Sequence, residues 1–293
     1  MGVDSLCSFL RVYVVRVLVK EMKTLTIFTP TYNRAHTLPR LYQSLCAQTS
    51  DDFEWLVIDD GSTDGTKDLV VQWKQENVIP IHYIYKENGG LYTGYNVAYL
   101  TIETELNVCI DSDDAMPPDA VEKIVCIWNE RGADRYAGIT GLDFDIATNE
   151  PIGGRFPDGM TECFFPELYA KRIHRGDSKQ VMRTDLMREV ATQEGFPREK
   201  NFNPVYMLLQ VTDIYPVLLT NECFCLVDYQ KEDSMSRHIW KQYIDSPRSF
   251  VEMRRLEMAL HHSTFLNRLR SAIHLVVESL IVFFVRLQRK ENK

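Results

Sequence analysis

From Thr24 onward, short apolar runs alternate with stretches in which apolar residues recur at helical spacing, as at Leu38, Leu41 and Leu45. The first four apolar runs cover residues 24–28, 53–58, 80–85 and 106–110. Strands that alternate with helices are typical of a mainly parallel sheet. The pattern therefore predicts an α/β fold with a Rossmann-like, mainly parallel central sheet flanked by helices.

The second half of the chain is less regular. It predicts a strand over 136–145, a strand and a short helix within 179–191, a helix over 206–211 and further strands within 215–229. We expect the loops of this half to cover the carboxyl ends of the first strands, where ligands bind in open α/β sheets.

The last part of the chain predicts a helical tail. Residues 265–290 contain no Pro or Gly, residues 272–285 are mostly apolar, and Arg286, Arg289 and Lys290 follow. The apolar run is shorter than the ~20 residues of a membrane-spanning helix. The tail is expected either to lie in a membrane interface as an amphipathic helix or to pack on the domain or on a second subunit of a homodimer.

The first 21 residues form a separate segment, an apolar run that Arg11 and Arg16 interrupt. It is too short and too charged to span a bilayer, and its charges are misplaced for a signal peptide. We expect translation to begin naturally at Met22, with an interfacial N-terminal helix as the alternative. The predicted organisation is an extension over 1–21, an α/β domain over 22–240 and a helical tail over 241–293.

Composition excludes several classes of protein. Apolar residues make up 45% of the 293 residues, which excludes a disordered or collagen-like chain. The formal charge of −8 disfavours nucleic acid as a partner. Seven cysteines without regular spacing indicate thiols in a reducing compartment. We expect a cytoplasmic protein, peripheral on the inner face of the cytoplasmic membrane if the tail binds lipid.

Three polar segments carry the candidate chemistry, because each directly follows a predicted strand. They are residues 29–34, 59–62 and 111–114. The carboxyl ends of parallel strands meet at one edge of a sheet, so these segments are expected to converge there.

The third segment contains the acidic pair Asp111 and Asp113. Two carboxylates at a strand end suit a hard divalent cation, which in turn binds phosphate oxygens. The pair alone is weak evidence, and the spacing excludes an EF-hand. In the second segment, Asp59 and Asp60 either begin a helix or read the imide N–H of a uracil. No P-loop is present, and the spacing of Gly89 and Gly90 does not match a dinucleotide fingerprint.

The ordered set TPTYNR, VIDDGSTDGT, ENGG followed by GYNVA, and CIDSDD resembles the inverting family 2 glycosyltransferases over about residues 24–145. The resemblance implies the GT-A fold and a divalent cation, Mn²⁺ or Mg²⁺. It implies transfer of a hexose or N-acetylhexosamine from a UDP-sugar to a glycan or lipid-linked glycan acceptor. The displacement would invert the anomeric configuration, as in polysaccharide biosynthesis of the cell envelope.

The same resemblance implies individual roles. Asp113 would be the metal ligand, with Asp114 beside it, and Asp59 would contact the uracil. The nucleotide-sugar-binding residues would be Thr29, Pro30, Tyr32, Arg34, Asp59, Asp60, Gly89, Gly90, Asn96, Asp111 and Ser112.

An inverting enzyme needs a general base for the acceptor hydroxyl, and we expect it in the second half. Residues 196–202 resemble a segment of a bacterial polysaccharide subgroup that puts Glu199 in this role. The spacing departs from that subgroup by about one residue, so Asp177 is the alternative base and a surface acid is the alternative for Glu199. Residues 229–236 are expected to form either a loop that closes over the diphosphate, with Lys231 or Arg237 near the phosphates, or a solvated loop.

Two other functions stay open at this point. A nucleotidyltransferase would share a similar sheet and a metal, but residues 29–34 lack the glycine-rich loop that such an enzyme needs. A non-catalytic nucleotide-sugar-binding or scaffold protein would keep the acidic pair and lack the base.

Overall fold

An eight-stranded sheet forms the centre of the computed structural model, which describes residues 23–228 and 239–291. The strands are β1 (Leu25–Thr31), β2 (Phe53–Asp59), β3 (Ile81–Tyr85), β4 (Leu106–Cys109), β5 (Gly138–Asp145), β6 (Glu162–Cys163), β7 (Ser178–Arg183) and β8 (Val217–Val227). Their order across the sheet is β3-β2-β1-β4-β7-β5-β8-β6.

Helices connect and flank these strands. They are α1 (Leu38–Cys46), α2 (Thr66–Glu76), α3 (Leu91–Thr101), α4 (Ala120–Arg131), α5 (Phe165–Ala170), α6 (Thr184–Glu189), α7 (Val205–Thr212), α8 (Ile239–Asp245), α9 (Pro247–Ala259) and α10 (Phe265–Glu291). The first half therefore alternates strand and helix, and the predicted α/β architecture is confirmed.

The sheet is parallel except at two strands. β1 pairs in parallel with β2 and β4, and β5 pairs in parallel with β8. β7 lies antiparallel between β4 and β5, and the short β6 is antiparallel at the edge. The insertion of β7 joins the regular first half to the less regular second half and brings the start of β7 beside the end of β4.

The register of the first strands decides where the polar segments lie. Thr31 at the end of β1 pairs with Asp59 at the end of β2. The Thr29 hydroxyl donates to the carbonyl of Ile110 (2.9 Å) and accepts a hydrogen bond from the Trp55 indole (3.0 Å). These buried bonds tie β2, β1 and the end of β4 together, so the three strands end at the same edge.

Buried apolar side chains cover both faces of the sheet. On one face the rings of Tyr42 and Trp73 stack with centroids 4.3 Å apart, and Trp55 lies 6.0 Å from Trp73. This aromatic stack fixes α1 and α2 against β2. The loops that precede both helices are thereby held at the sheet edge.

The chain ends in an antiparallel pair formed by α9 and α10. Arg254 of α9 binds Glu278 of α10 (3.1 Å), and Ser271 donates to Glu257 (2.6 Å). Asp213, just after α7, accepts backbone hydrogen bonds from the turn between the two helices. The predicted C-terminal helical tail is confirmed, and none of the helices in the described ranges is long and apolar enough to cross a membrane.

Two expectations concern other parts of the chain. The extension over 1–21 lies outside the described residues. The same holds for the loop over 229–236 and for Lys231 and Arg237, which therefore stay predictions.

The aromatic stack should carry a large share of the stability. We expect Trp73→Ala to lower the free energy of unfolding by about 3 kcal/mol or more, because Trp73 is buried and packs against the rings of Tyr42 and Trp55. Chemical denaturation measures this change. Val71→Ala, at an exposed position of the same helix, is the control and should change stability by about 0.5 kcal/mol or less. Equal effects of the two substitutions would contradict the role of the stack.

Candidate active site

A cavity of about 1720 Å³ opens at the sheet edge where β1, β2 and β4 end. The sequence-predicted residues on its wall are Pro30, Tyr32, Arg34, Asp60, Gly90, Asp111, Ser112, Asp113 and Asp177. The other predicted residues, Thr29, Asp59, Gly89, Asn96 and Glu199, are not part of the wall. The contacts of the second group show what each of them does instead.

The loops after β1 and β2 are joined by hydrogen bonds. The backbone N–H of Asn33 donates to the Ser62 hydroxyl, and the backbone N–H of Thr63 donates to the side-chain oxygen of Asn33, both over 2.8 Å. Asn33 has a φ of +53°, a left-handed conformation that asparagine tolerates better than most residues. These bonds present Tyr32 and Arg34, on either side of Asn33, to the cavity.

Asp59 is directed into the protein. Its side chain is fully buried, one carboxylate oxygen accepts the Ser62 N–H and the other accepts the Tyr83 hydroxyl, each over 2.7 Å. The carboxylate thus closes the turn after β2 and anchors it to β3. Of the two adjacent acids, Asp60 is the one on the cavity wall.

Asp60 organises the glycine loop that follows β3. One carboxylate oxygen accepts hydrogen bonds from Lys86 and from the Gly89 N–H, and the other accepts the Gly90 N–H over 2.9 Å. Gly90 has a φ of +97°, and a Cβ there would lie 2.0 Å from the Lys200 carbonyl oxygen. Only glycine fits this position, so the loop can approach the cavity as bare backbone.

The loop after β4 is fixed from two sides. Arg40 of α1 donates to the carbonyl of Asp113 and pairs with Asp228 just after β8 (3.2 Å). Ala115 exchanges backbone hydrogen bonds with Leu226 of β8. The Asp111–Asp113 segment is therefore held between α1 and β8, with both acids at the cavity.

A buried lysine lies behind these acids, and the sequence analysis missed it. The Lys179 ammonium, at the start of β7, is 3.8 Å from a carboxylate oxygen of Asp114 and 3.8 Å from one of Asp143. All three side chains are nearly inaccessible to solvent. The available signal was a charged residue within each of two strands of the sheet, Lys179 in SKQVMR and Asp143 in GITGLDFD.

The charges in this cluster do not balance. Burial raises the pKa of Asp114 to about 7 and that of Asp143 to about 6, although Lys179 acts in the opposite direction. Enclosure by protein also raises the pKa of Asp111, and the neighbouring charge of Asp113 adds to the effect. Burial lowers the pKa of Lys179, but the surrounding carboxylates hold it well above its ordinary value. Lys179 and the Arg34 charge that acts on Asp111 are outnumbered by these carboxylates, which leaves an excess of negative charge around Asp111.

The acidic wall fits a divalent cation only in part. Within 23–228 and 239–291, no group of three or more His, Cys, Asp or Glu side chains is arranged to hold a metal ion. Asp111 and Asp113 offer oxygen ligands, which Mg²⁺ and Mn²⁺ prefer. The remaining ligands would have to come from water or from the phosphates of a bound ligand. The residues present therefore fit a site that a diphosphate completes.

The two candidates for the general base have different surroundings. Asp177 borders the cavity beside β7, and its charge raises the pKa of both Asp111 and Asp143. Glu199 is buried, and its carboxylate accepts the N–H groups of Arg248 (3.2 Å) and Ser249 (2.9 Å) and the Ser249 hydroxyl (2.9 Å). Glu199 is neither a surface acid nor on the cavity wall. It satisfies free backbone donors at the start of α9.

Asn96 has a comparable supporting position. Its side-chain amide donates to the carbonyl of Gln193 over 2.9 Å, which fastens α3 to the segment that precedes Glu199. Together with the Gly90–Lys200 approach, this contact sets one wall of the cavity.

Comparison with known families identifies the first half of the chain. Residues 26–183 match the family model described as Glycosyl transferase family 2. The chain is 33% identical over 147 residues to the chondroitin synthase of Escherichia coli, across 46% of this chain and 21% of that protein. It is 28% identical over 124 residues to TarP of Staphylococcus aureus, named poly(ribitol-phosphate) beta-N-acetylglucosaminyltransferase, across 42% and 38%. The matches thus span about a fifth to two fifths of these relatives.

Solved structures share the fold at lower identity. S. aureus TarS 1-349 in complex with UDP-GlcNAc superposes with a TM-score of 0.59 at 20% identity, over 82% of this chain and 68% of that chain. The mannosyltransferase PcManGT from Pyrobaculum calidifontis, in complex with GDP-Man and Mn²⁺, gives 0.58 at 15% identity, over 95% and 82%. These likenesses confirm the predicted GT-A fold.

The position of Glu199 leads to a stability prediction. Glu199→Ala removes the acceptor for two backbone donors and one hydroxyl at the start of α9, so the free energy of unfolding should fall by about 1–3 kcal/mol. Urea denaturation measures the fall. The exposed acid Glu194 is the matched control, and Glu194→Ala should be nearly neutral. A Glu199→Ala protein with unchanged stability and abolished turnover would instead make Glu199 catalytic.

Proposed function

The chain belongs to glycosyl transferase family 2, and we propose that it transfers a hexose or N-acetylhexosamine from a UDP-sugar to a glycan or lipid-linked glycan acceptor with inversion. One observation carries this proposal. The Asp111–Asp113 pair, the glycine loop held by Asp60 and the acid Asp177 all border one cavity. In this proposal the glycine loop lies against the donor, the acidic pair holds a cation that offsets the charge of the diphosphate, and Asp177 is the base for the acceptor hydroxyl.

The donor would lie along the edge of the sheet. In this proposal Pro30, Tyr32 and Arg34 border the nucleoside, and the Gly90 loop approaches the donor as backbone. The structural neighbours were solved with nucleotide sugars of different bases, UDP-GlcNAc and GDP-Man. We infer uridine, since the resemblance of the ordered motifs is to UDP-sugar enzymes, and a test therefore has to include a guanosine donor.

Asp111 and Asp113 would hold the divalent cation. A bound Mn²⁺ or Mg²⁺ supplies charge neutralisation for the leaving diphosphate. The task of the protein is to keep two carboxylates close together at the cavity. Arg40 fixes the backbone of Asp113, and Lys179 offsets the charge of Asp114 behind the pair.

We assign the general base to Asp177. Its carboxylate takes the proton of the acceptor hydroxyl while that oxygen attacks the anomeric carbon on the face opposite the diphosphate. The bond between the anomeric carbon and the diphosphate oxygen breaks, and the nucleoside diphosphate leaves with the electron pair. One displacement inverts the configuration.

The deciding experiment is donor binding across a panel of nucleotide sugars. UDP-Glc, UDP-GlcNAc, UDP-Gal and GDP-Man are titrated by calorimetry into the full chain, with and without Mn²⁺ or Mg²⁺. Metal-dependent binding of one UDP-sugar, followed by its hydrolysis or transfer, supports the proposal. Binding without turnover in the presence of acceptor glycans would favour a nucleotide-sugar-binding scaffold. No binding by folded protein would overturn both.

The base assignment predicts a split between binding and turnover. Asp177→Asn should lower kcat by about 10²–10⁴-fold, because no carboxylate remains to take the proton of the acceptor hydroxyl. The Kd of the donor should stay within about twofold. Initial rates and calorimetry measure the two quantities. Asp158→Asn, at an exposed loop acid, is the matched control. Wild-type turnover by Asp177→Asn would contradict the assignment.

The acidic pair predicts a different signature. Asp113→Asn should remove the metal dependence of donor binding, because the amide is a poor replacement for an anionic ligand. Donor titrations with and without Mn²⁺ measure it, and the exposed Asp134→Asn serves as control. If Asp113→Asn still binds donor more tightly with metal, the cation lies elsewhere.

A further inference from the structure

Helix α10 exposes apolar side chains along most of its described length. Eight large apolar residues on it have between 48% and 78% of their surface exposed. They are Phe265, Leu266, Leu269, Ile273, Val276, Val277, Leu280 and Phe283. Elsewhere in the described residues, exposed large apolar side chains are scattered singly over many elements. We refer to these eight residues as the outer face of α10.

The outer face is continuous and points away from the domain. At 100° per residue its eight members fall within an arc of about 120°. Ser271 and Glu278, which are 6% and 2% exposed, lie on the opposite side of the helix and bind Glu257 and Arg254 of α9. The helix thus buries polar groups against the protein, while each of the eight apolar side chains of the outer face keeps about half or more of its surface exposed.

The charge of α10 is opposite to that of the chain. Residues 265–291 contain five basic and two acidic residues, a net +3, against −8 for the whole sequence. Glu278 is already paired with Arg254. The exposed Arg268 and Arg270 lie beyond the two margins of the apolar arc. An apolar face with basic margins complements a surface that is apolar inside and anionic outside.

We propose that the outer face of α10 docks the protein on an anionic lipid bilayer, with the helix parallel to the surface. In a dimer formed through the outer face, the arginines of the two α10 helices would lie along the same interface. Their like charges repel each other, which opposes pairing. Residues 1–22 would meet the same problem, since they carry Arg11, Arg16 and Lys20. The bilayer is the occupant that satisfies both the apolar area and the charge.

Docking would also orient the cavity. Asn267 and His274 line the cavity from the inner side of the same helix, and Arg270 lines it from the margin of the outer face. A bilayer under the outer face would therefore lie close to the cavity opening. This consequence rests on the proposed function and favours an acceptor anchored in the membrane over one free in solution.

The test is vesicle co-sedimentation of the full chain. Vesicles of phosphatidylcholine with 30% phosphatidylserine are compared with pure phosphatidylcholine at low and high salt. We expect partitioning on the anionic vesicles that weakens with salt, and about a fivefold loss for Arg270→Gln, the equivalent of about 1 kcal/mol. The double variant Ile273→Asp/Leu280→Asp should lose about tenfold or more. Both positions are exposed, and circular dichroism checks that the variant folds.

Matched controls and the oligomeric state separate the alternatives. Val78→Asp/Leu100→Asp introduces the same charges at comparably exposed apolar positions away from α10 and should partition like the wild type. Donor binding by the two double variants, none of whose positions lines the cavity, should be unchanged, so failure of docking is distinct from failure of the proposed function. Partitioning that Ile273→Asp/Leu280→Asp leaves intact would overturn the proposal. So would a wild-type dimer in light scattering that this variant converts to monomer, or partitioning that depends only on residues 1–22.

Discussion

The edge of the sheet that holds the candidate active site depends on the buried cation of Lys179. Asp111, Asp114, Asp143 and Asp177 come from three different stretches of the chain, and their charges act on one another across the end of the sheet. Four carboxylates so close would repel each other and favour protonation or local opening. Lys179, the second residue of β7, lies among these carboxylates, and its high pKa keeps it charged. A buried charge is costly alone, but here each side of the cluster is the reason that the other can be buried.

This dependence links the antiparallel strand to the chemistry. β7 is the strand that breaks the parallel order, and its register beside β4 and β5 carries Lys179 to the edge at which those strands end. Asp177 immediately precedes it in sequence and borders the cavity. The same strand start thus supplies the cation that stabilises the acidic wall and the acid that we assign as base.

The sequence predicted the first half well for a physical reason. β1 to β4 and their helices are local, periodic and connected by short turns, so spacing alone indicates them. The roles of the site residues were harder to predict, because neighbouring residues of one motif have different functions. Asp59 and Asp60 are neighbours in one motif, yet Asp59 closes a turn inside the protein and Asp60 holds a glycine loop at the cavity. Glu199 binds residues about 50 positions away, and no local pattern reveals such a partner.

The orientation of α10 likewise depends on a partner that is distant in sequence. Spacing identified an amphipathic helix but left open which side would meet the protein. The buried pair formed by Arg254 and Glu278 decides that question, since it commits the polar side to α9. The apolar side is then outside because of an electrostatic contact, not because of its own composition. In the proposed docking, the basic and apolar outer face of α10 would meet the anionic surface first, and the acidic cavity wall would stay farther from it.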